Sequence, residues 1–323
     1  MSQKNEDQAE KTEKRNRMFA WIGLTAFLAC LIVLPILNVY IQNSRSSGDT
    51  PYRNNFANKS GEDASSGRED NIIENSDFSP EDDVLTEKNS QTLKDFLLHA
   101  LEPVGSTLYI YGGGWNEEDT GAGVEAMTYG PSPRWKEFFD KNNETYDQEK
   151  HEYEIHNGLD CTGYLGYAVF QVFGDRYAKD GYVFTSGTVG ENFVRLFGGS
   201  ITPKDKIKKC IAGDIMVKKG HVFIMIGECD DGSRLLLHSS PPAVTLSGTP
   251  TRNGKEDSEA ERLARKYMEK IAPEAYGRYP KNCVRGETFL TDFDAYTFPE
   301  EVLPDPDGLR EMSVAEVLTE LIG

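Results

Sequence analysis

The chain has 323 residues, with 35 Lys+Arg against 53 Asp+Glu and a formal net charge of −18. That balance argues against a nucleic-acid partner, which needs a net positive face for the phosphates. Five cysteines in so long a chain exclude a small disulfide-rich scaffold.

In chain order, the first element is an uncharged, mostly apolar run over residues 18–42, from Met18 to Gln42. A bilayer core of ~30 Å needs about 20 such residues in one helix, whereas a cleaved signal has a shorter apolar run of ~7–15 and a small-residue exit site. The run therefore reads as a single transmembrane helix. Lys11, Lys14, Arg15 and Arg17 crowd its N-terminal side, so the expected orientation puts residues 1–17 in the cytoplasm and the bulk of the chain outside, anchored in the cell membrane by one pass.

Residues 43–90 are rich in Ser, Asn, Asp, Glu and Gly, with five basic and eleven acidic residues and hence −6. No helical or strand period appears, so the segment reads as a disordered acidic linker. As a flexible coil it would reach ~35–40 Å, enough to clear the membrane surface.

Apolar periodicity returns over 91–323, read as one globular domain large enough to bury a core. Thr92 to Leu101 has a helical period and stops before Pro103. Trp135–Phe139 is a short helix after Pro133. Cys161–Phe173 is an apolar helix ended by Gly174. Asp214–Val217, His221–Gly227, Arg234–Ser239 and Val244–Leu246 read as strands of an antiparallel meander, with Asp230-Asp231-Gly232 as its clearest hairpin turn. Glu256–Ile271 is a further helix, stopped by Pro273.

The sharpest local feature is Gly158-Leu-Asp160-Cys161-Thr162-Gly163-Tyr164. A cysteine opening a helix is expected to have its thiolate stabilised by the helix N-terminus, which makes it a nucleophile. Asp160 is a suitable helix cap, and Gly163 allows close approach of a backbone or a substrate. Gly220-His221-Val-Phe-Ile-Met-Ile-Gly227 sets a histidine at the mouth of an apolar strand, and Leu235-Leu-Leu-His238-Ser239 sets another on the next strand. The order is nucleophile, then base, then a polar group that orients the base. Taken singly, a cysteine on an apolar helix is more often structural; the ordered set is what carries the functional reading. His151-Glu152-Tyr-Glu-Ile-His156 lacks the zinc spacing, since the second histidine would have to fall at Ile155, so no metal and no cofactor is expected. Cys210, Cys229 and Cys283 allow one disulfide or none.

These residues resemble the NlpC-type papain-like cysteine peptidases. Asp160-Cys161-Thr162-Gly163 is similar to that family's Asp-Cys-Ser-Gly signature, with threonine for serine. Gly213-Asp214-Ile-Met-Val217 resembles its Gly-Asp-apolar strand, and Gly220-His221-Val222 through Gly227 resembles its histidine segment. Leu237-His238-Ser239 stands where the third polar residue is expected, and Tyr109-Ile-Tyr111-Gly112-Gly113 looks like its Tyr-x-Trp/Tyr-Gly-Gly element. The resemblance covers about 107–246 and departs from compact members by an insertion near 116–158 and a C-terminal extension over 248–323.

The resemblance implies an α+β, papain-like fold in which the helix bearing the nucleophile packs on an antiparallel sheet. It implies catalysis by Cys161, His221 and His238, with Tyr109, Asp160, Thr162, Gly163 and Ser239 as oxyanion or substrate-binding residues. The implied partner is the stem peptide of bacterial peptidoglycan, cut next to D-glutamate. Two alternatives stay open: an inactive papain-like scaffold of a cell-wall or division complex, and a different thiol chemistry such as acyl transfer.

Overall fold

Two hydrophobic patterns, one of period 3.6 and one of period 2, organise the computed structural model, which describes residues 91–323. The membrane helix expected over 18–42 and the linker over 43–90 lie outside the described residues. Among the described residues no helix is long and apolar enough to cross a membrane.

Helix α1 (Leu93–Leu101) begins one residue later than the periodicity suggests, because Thr92 is its cap. The Thr92 hydroxyl and the Asp95 carboxylate satisfy each other's backbone N–H groups, which stabilises the helix start. Strand β1 (Leu108–Tyr109), helix α2 (Pro133–Lys141) and strand β2 (Gly158–Leu159) lead into helix α3 (Cys161–Phe173). All thirteen residues of α3 are buried, which explains an apolar run with little one-sidedness. Gly174, with φ of 53°, ends it in a conformation that a side chain would strain.

After α3 come α4 (Val189–Phe197), β3 (Ser200–Thr202), β4 (Ile215–Lys218), β5 (His221–Glu228), β6 (Arg234–Ser240) and β7 (Ala243–Gly248). They are followed by α5 (Glu259–Ile271), α6 (Pro273–Arg278), the single turn α7 (Thr288–Thr291), β8 (Asp294–Thr297) and α8 (Val314–Ile322). The architecture is α+β. Its sheet has eight strands in the order β2-β1-β7-β6-β5-β4-β8-β3. The expected antiparallel sheet is corrected in one respect: β1 and β2 run parallel, Leu108 beside Gly158 and Tyr109 beside Leu159, so the sheet is mixed. The four expected strands are all present, each within one or two residues of its forecast ends.

Alternation along the central strands divides the core. Val222, Ile224 and Ile226 of β5 and Leu235 and Leu237 of β6 enter the main cluster, which also holds α1 and α3. Phe223, Met225 and Leu236 turn to the opposite face and join Met216, Cys210, Phe293 and Ala295. Burial on both faces is why these strands read as continuous apolar runs.

The C-terminal extension is structural. Its strand β8 pairs with β4 on one side and β3 on the other, so it completes the sheet. Phe298 packs among Phe96, Phe173, Phe193 and Phe197, edge-on or tilted to each. Phe289 and Phe293 pack on Phe223, covering the second face.

Candidate active site

The site begins at the junction of β2 and α3. Asp160 accepts from the backbone N–H groups of Thr162, at 2.8 Å, and Gly163, at 2.7 Å. Those are two of the N–H groups that a helix start leaves unpaired. Among the described residues no other residue bonds the Cys161 N–H, which points at its own thiol. Thr162 keeps what a serine would do there: its hydroxyl donates to Asp160 at 2.9 Å and accepts from the Trp115 indole at 3.0 Å.

Gly163 sits where only glycine fits. A Cβ there would lie 2.0 Å from the Gly113 carbonyl oxygen. The close approach expected at Gly163 is thus that of the Gly112-Gly113-Gly114 backbone, and it locks the tyrosine-bearing segment against the start of α3. The Asp160 N–H donates to the Gly113 carbonyl at 2.9 Å across the same seam.

Tyr109, Tyr111, Gly112, Trp115, Asp119, Asp160, Cys161, Thr162, Thr185, Ser186 and Gly220 line a cleft of about 270 Å³. A second hollow of about 450 Å³ adjoins it and shares Gly112, Trp115 and Asp119. Its remaining wall comes from the insertion, including Arg134, Tyr153, Glu154 and His156. The insertion therefore extends the cleft beside Cys161. The exposed Tyr111 ring meets Tyr153 edge-on at 5.3 Å, and the Tyr153 N–H donates to the Tyr111 carbonyl at 2.9 Å.

The histidines come together as the hairpin forecasts. β5 and β6 pair with Ile224 opposite Leu237, which puts His221 and His238 on one face, diagonal to each other. His221 Nε2 lies 3.2 Å from His238 Nδ1. Phe223, Phe289 and Phe293 surround the His221 ring. Cys161 approaches the start of β5 at Val222, whose backbone N–H bonds the thiol. His221 is the neighbouring residue, but no hydrogen bond among the described residues joins its ring to Cys161. Nδ1 is the ring nitrogen left for such a bond, because Nε2 faces His238.

Ser239, expected to bind substrate, is fully buried and donates to the Leu159 carbonyl at 2.6 Å. It ties β6 to the strand that delivers Cys161, and it does not line the cleft. Tyr109 does line the cleft. Burial, then the neighbouring Asp160 and Cys161 charges, push its hydroxyl well above the usual range, so it stays a neutral donor.

Electrostatically the site is at rest. The expected helix-stabilised thiolate is overturned: burial, then the Asp160 charge, push the Cys161 thiol up to about 12, and three backbone N–H groups only partly offset them. Burial, then the Arg285 and Lys218 charges, push His221 down to about 4. His238 is completely buried and is held well below its usual value by burial, Arg285 and His221, in that order. Burial raises Asp160 to about 6 against the pull of its hydrogen bonds. Thiol and imidazoles are thus neutral at pH 7.

Sequence reasoning missed Arg285, whose Nε donates to His238 Nε2 at 2.8 Å. It also missed Ser247, whose Oγ lies 3.2 Å from the same nitrogen. Ser247 faces His238 because it lies on the next strand, where Thr245 is paired with His238; the strand register carries that signal. Arg285 comes from a loop some 47 residues on, and no local pattern marks it. Cys161, Cys210, Cys229 and Cys283 are all buried and free.

Comparison of the chain with protein-family models, with curated proteins and with solved structures finds no match.

Proposed function

We propose that this chain is a cysteine endopeptidase that hydrolyses an amide bond in peptidoglycan stem peptides, next to D-glutamate, from an outward-facing position on the cell membrane. One observation carries the reading: a cysteine at a helix start, inside a cleft, adjoins a strand whose first residue is a histidine paired at 3.2 Å with a second histidine. The substrate and the membrane tether rest on the sequence resemblance and on the apolar run over 18–42.

In this reading Cys161 Sγ attacks the amide carbonyl while its proton passes to His221 Nδ1. In the same reading the Cys161 N–H, which no other described residue bonds, and the neutral Tyr109 hydroxyl donate to the oxyanion. His221 returns the proton to the departing amine, and a thioester remains on Cys161. Water then attacks the thioester, giving up a proton to His221, and the acid leaves as the thiol is restored. His238 orients the His221 ring throughout.

The second reading, an inactive scaffold on the same fold, is favoured by the neutral resting thiol. Digestion of purified muropeptides by the full-length protein, beside Cys161→Ala, separates the two. The peptidase reading expects new products from the wild type alone. Equal products from both proteins, or none from either, would reject it.

A further inference from the structure

Three groups converge on His238, and their donor chemistry fixes where its proton sits. Arg285 has only donors, so with its Nε 2.8 Å from His238 Nε2 that nitrogen must accept. A neutral imidazole has one N–H, so the proton of His238 is on Nδ1. Nδ1 lies 3.2 Å from His221 Nε2, which must then accept too. The one proton of His221 is therefore on Nδ1. That is the nitrogen that would have to receive the proton of Cys161.

A thiolate–imidazolium pair needs the opposite polarity. His221 would carry protons on both nitrogens, and its Nε2–H would donate to an unprotonated His238 Nδ1. His238 would then carry its own proton on Nε2, facing the guanidinium, donor against donor.

The fold supplies an acceptor for that alternative. The Ser247 hydroxyl donates to the Asn282 carbonyl at 2.7 Å, so its lone pairs face outward. Ser247 Oγ is 3.2 Å from His238 Nε2, close enough to accept a proton held there. The same nitrogen thus has one partner for each tautomer, Arg285 for the resting one and Ser247 for the reverse.

We propose that Arg285 is a positioning residue that locks the histidine relay in its resting polarity, and that Ser247 is the acceptor that takes over when the guanidinium lets go. This rests on the cysteine-hydrolase reading above and adds its regulation. Both rings carry one proton in either state; only the tautomers differ, exchanged through water. After release, the proton of Cys161 moves to His221 Nδ1, His221 Nε2–H donates to His238 Nδ1, and His238 Nε2–H donates to Ser247. Arg285 is well held: its backbone N–H donates to the Gly248 carbonyl at 2.9 Å, and Nη2 reaches the Asn282 side chain and carbonyl.

The charges around the relay are few. Lys218 on β4 faces His221, with its ammonium over the Phe293 ring and 3.7 Å from Asp292. Cys283 lies near Arg285. Asp160 and Tyr109 face Cys161 from the other side.

The test is the pH dependence of iodoacetamide alkylation at Cys161, read by peptide mass in the full-length protein. Arg285→Met should raise the rate at pH 7 about tenfold or more over wild type and move the rise of the profile to lower pH. Adding Ser247→Ala should abolish most of that gain, which removal of a positive charge alone would not explain. A profile for Arg285→Met that superimposes on wild type overturns the lock, and a gain indifferent to Ser247→Ala overturns the tautomer assignment. If Arg285→Met gains reactivity but His221→Ala in the same background keeps all of it, the coupling of Cys161 to His221 fails, and with it the hydrolase reading. Histidine ¹⁵N spectra of the wild-type protein give a readout that needs no variant. His238 is expected to be protonated on Nδ1, and protonation on Nε2 would overturn the proposal.

Discussion

Asp160→Asn isolates the cost of placing a carboxylate under the start of helix α3. Asp160 is nearly inaccessible, and its folded carboxyl titrates near 6 against 3.8 for the free group. At pH 7 that difference is worth roughly 3 kcal/mol against the folded state. The raised value means that the folded protein holds the proton longer than the unfolded chain. The penalty is therefore absent below about pH 4, grows as pH rises, and is complete above about pH 6. Asparagine keeps an amide oxygen where Asp160 Oδ1 accepts from Thr162 and Gly163, so the cap survives while the titration is lost. Urea unfolding of wild type and Asp160→Asn at pH 4 and pH 7.5 measures the difference. The stability of the variant relative to wild type should improve by about 2.5 kcal/mol between the two pH values. A relative stability that does not change with pH would mean that the buried Asp160 carboxyl carries no such penalty. The substitution also removes the charge that helps to raise the Cys161 thiol, so alkylation of Cys161 should begin at lower pH.

Three further outcomes follow from particular contacts. Gly163→Ala forces a Cβ to within 2.0 Å of the Gly113 oxygen and should cost about 3 kcal/mol in urea unfolding. Arg234→Met removes the buried guanidinium that bonds Glu228 at 3.3 Å and the Leu290 carbonyl at 2.8 Å, and thermal unfolding should show a loss of about 3 kcal/mol. Asp119 lies where the cleft and the adjoining hollow meet, so Asp119→Asn should raise KM for muropeptides with little change in kcat, as steady-state kinetics would show.

Much of the site was legible because local chemistry announces it. Asp160 before Cys161 marks a cap, and the helix runs from Cys161 to Phe173 as its apolar pattern indicates. The Asp230-Asp231-Gly232 turn fixes a hairpin, and the hairpin alone is enough to bring His221 and His238 together. Distant pairings were not legible. β1 and β2 have two residues each, too few for any period, and they are held by a partner about 50 residues away. β8 enters the sheet between β4 and β3, although nearly 80 residues separate it from β4. The thiol pKa was misjudged for a related reason. A helix start favours a thiolate, but desolvation by the surrounding core outweighs it, and burial depends on the whole fold. Ser239 was misplaced because its burial depends on a strand 80 residues away: its hydroxyl is taken up by the Leu159 carbonyl of β2.

The central claim is that Cys161 is a nucleophile toward a stem-peptide amide. Acid quenching of the full-length protein during incubation with a stem peptide containing D-glutamate, followed by peptide mass analysis, tests it directly. The expected result is an acyl adduct on the peptide bearing Cys161, release of the matching amine fragment, and loss of both in His221→Ala. An unmodified Cys161 with no amine released, or an adduct that forms equally well in His221→Ala, would contradict it.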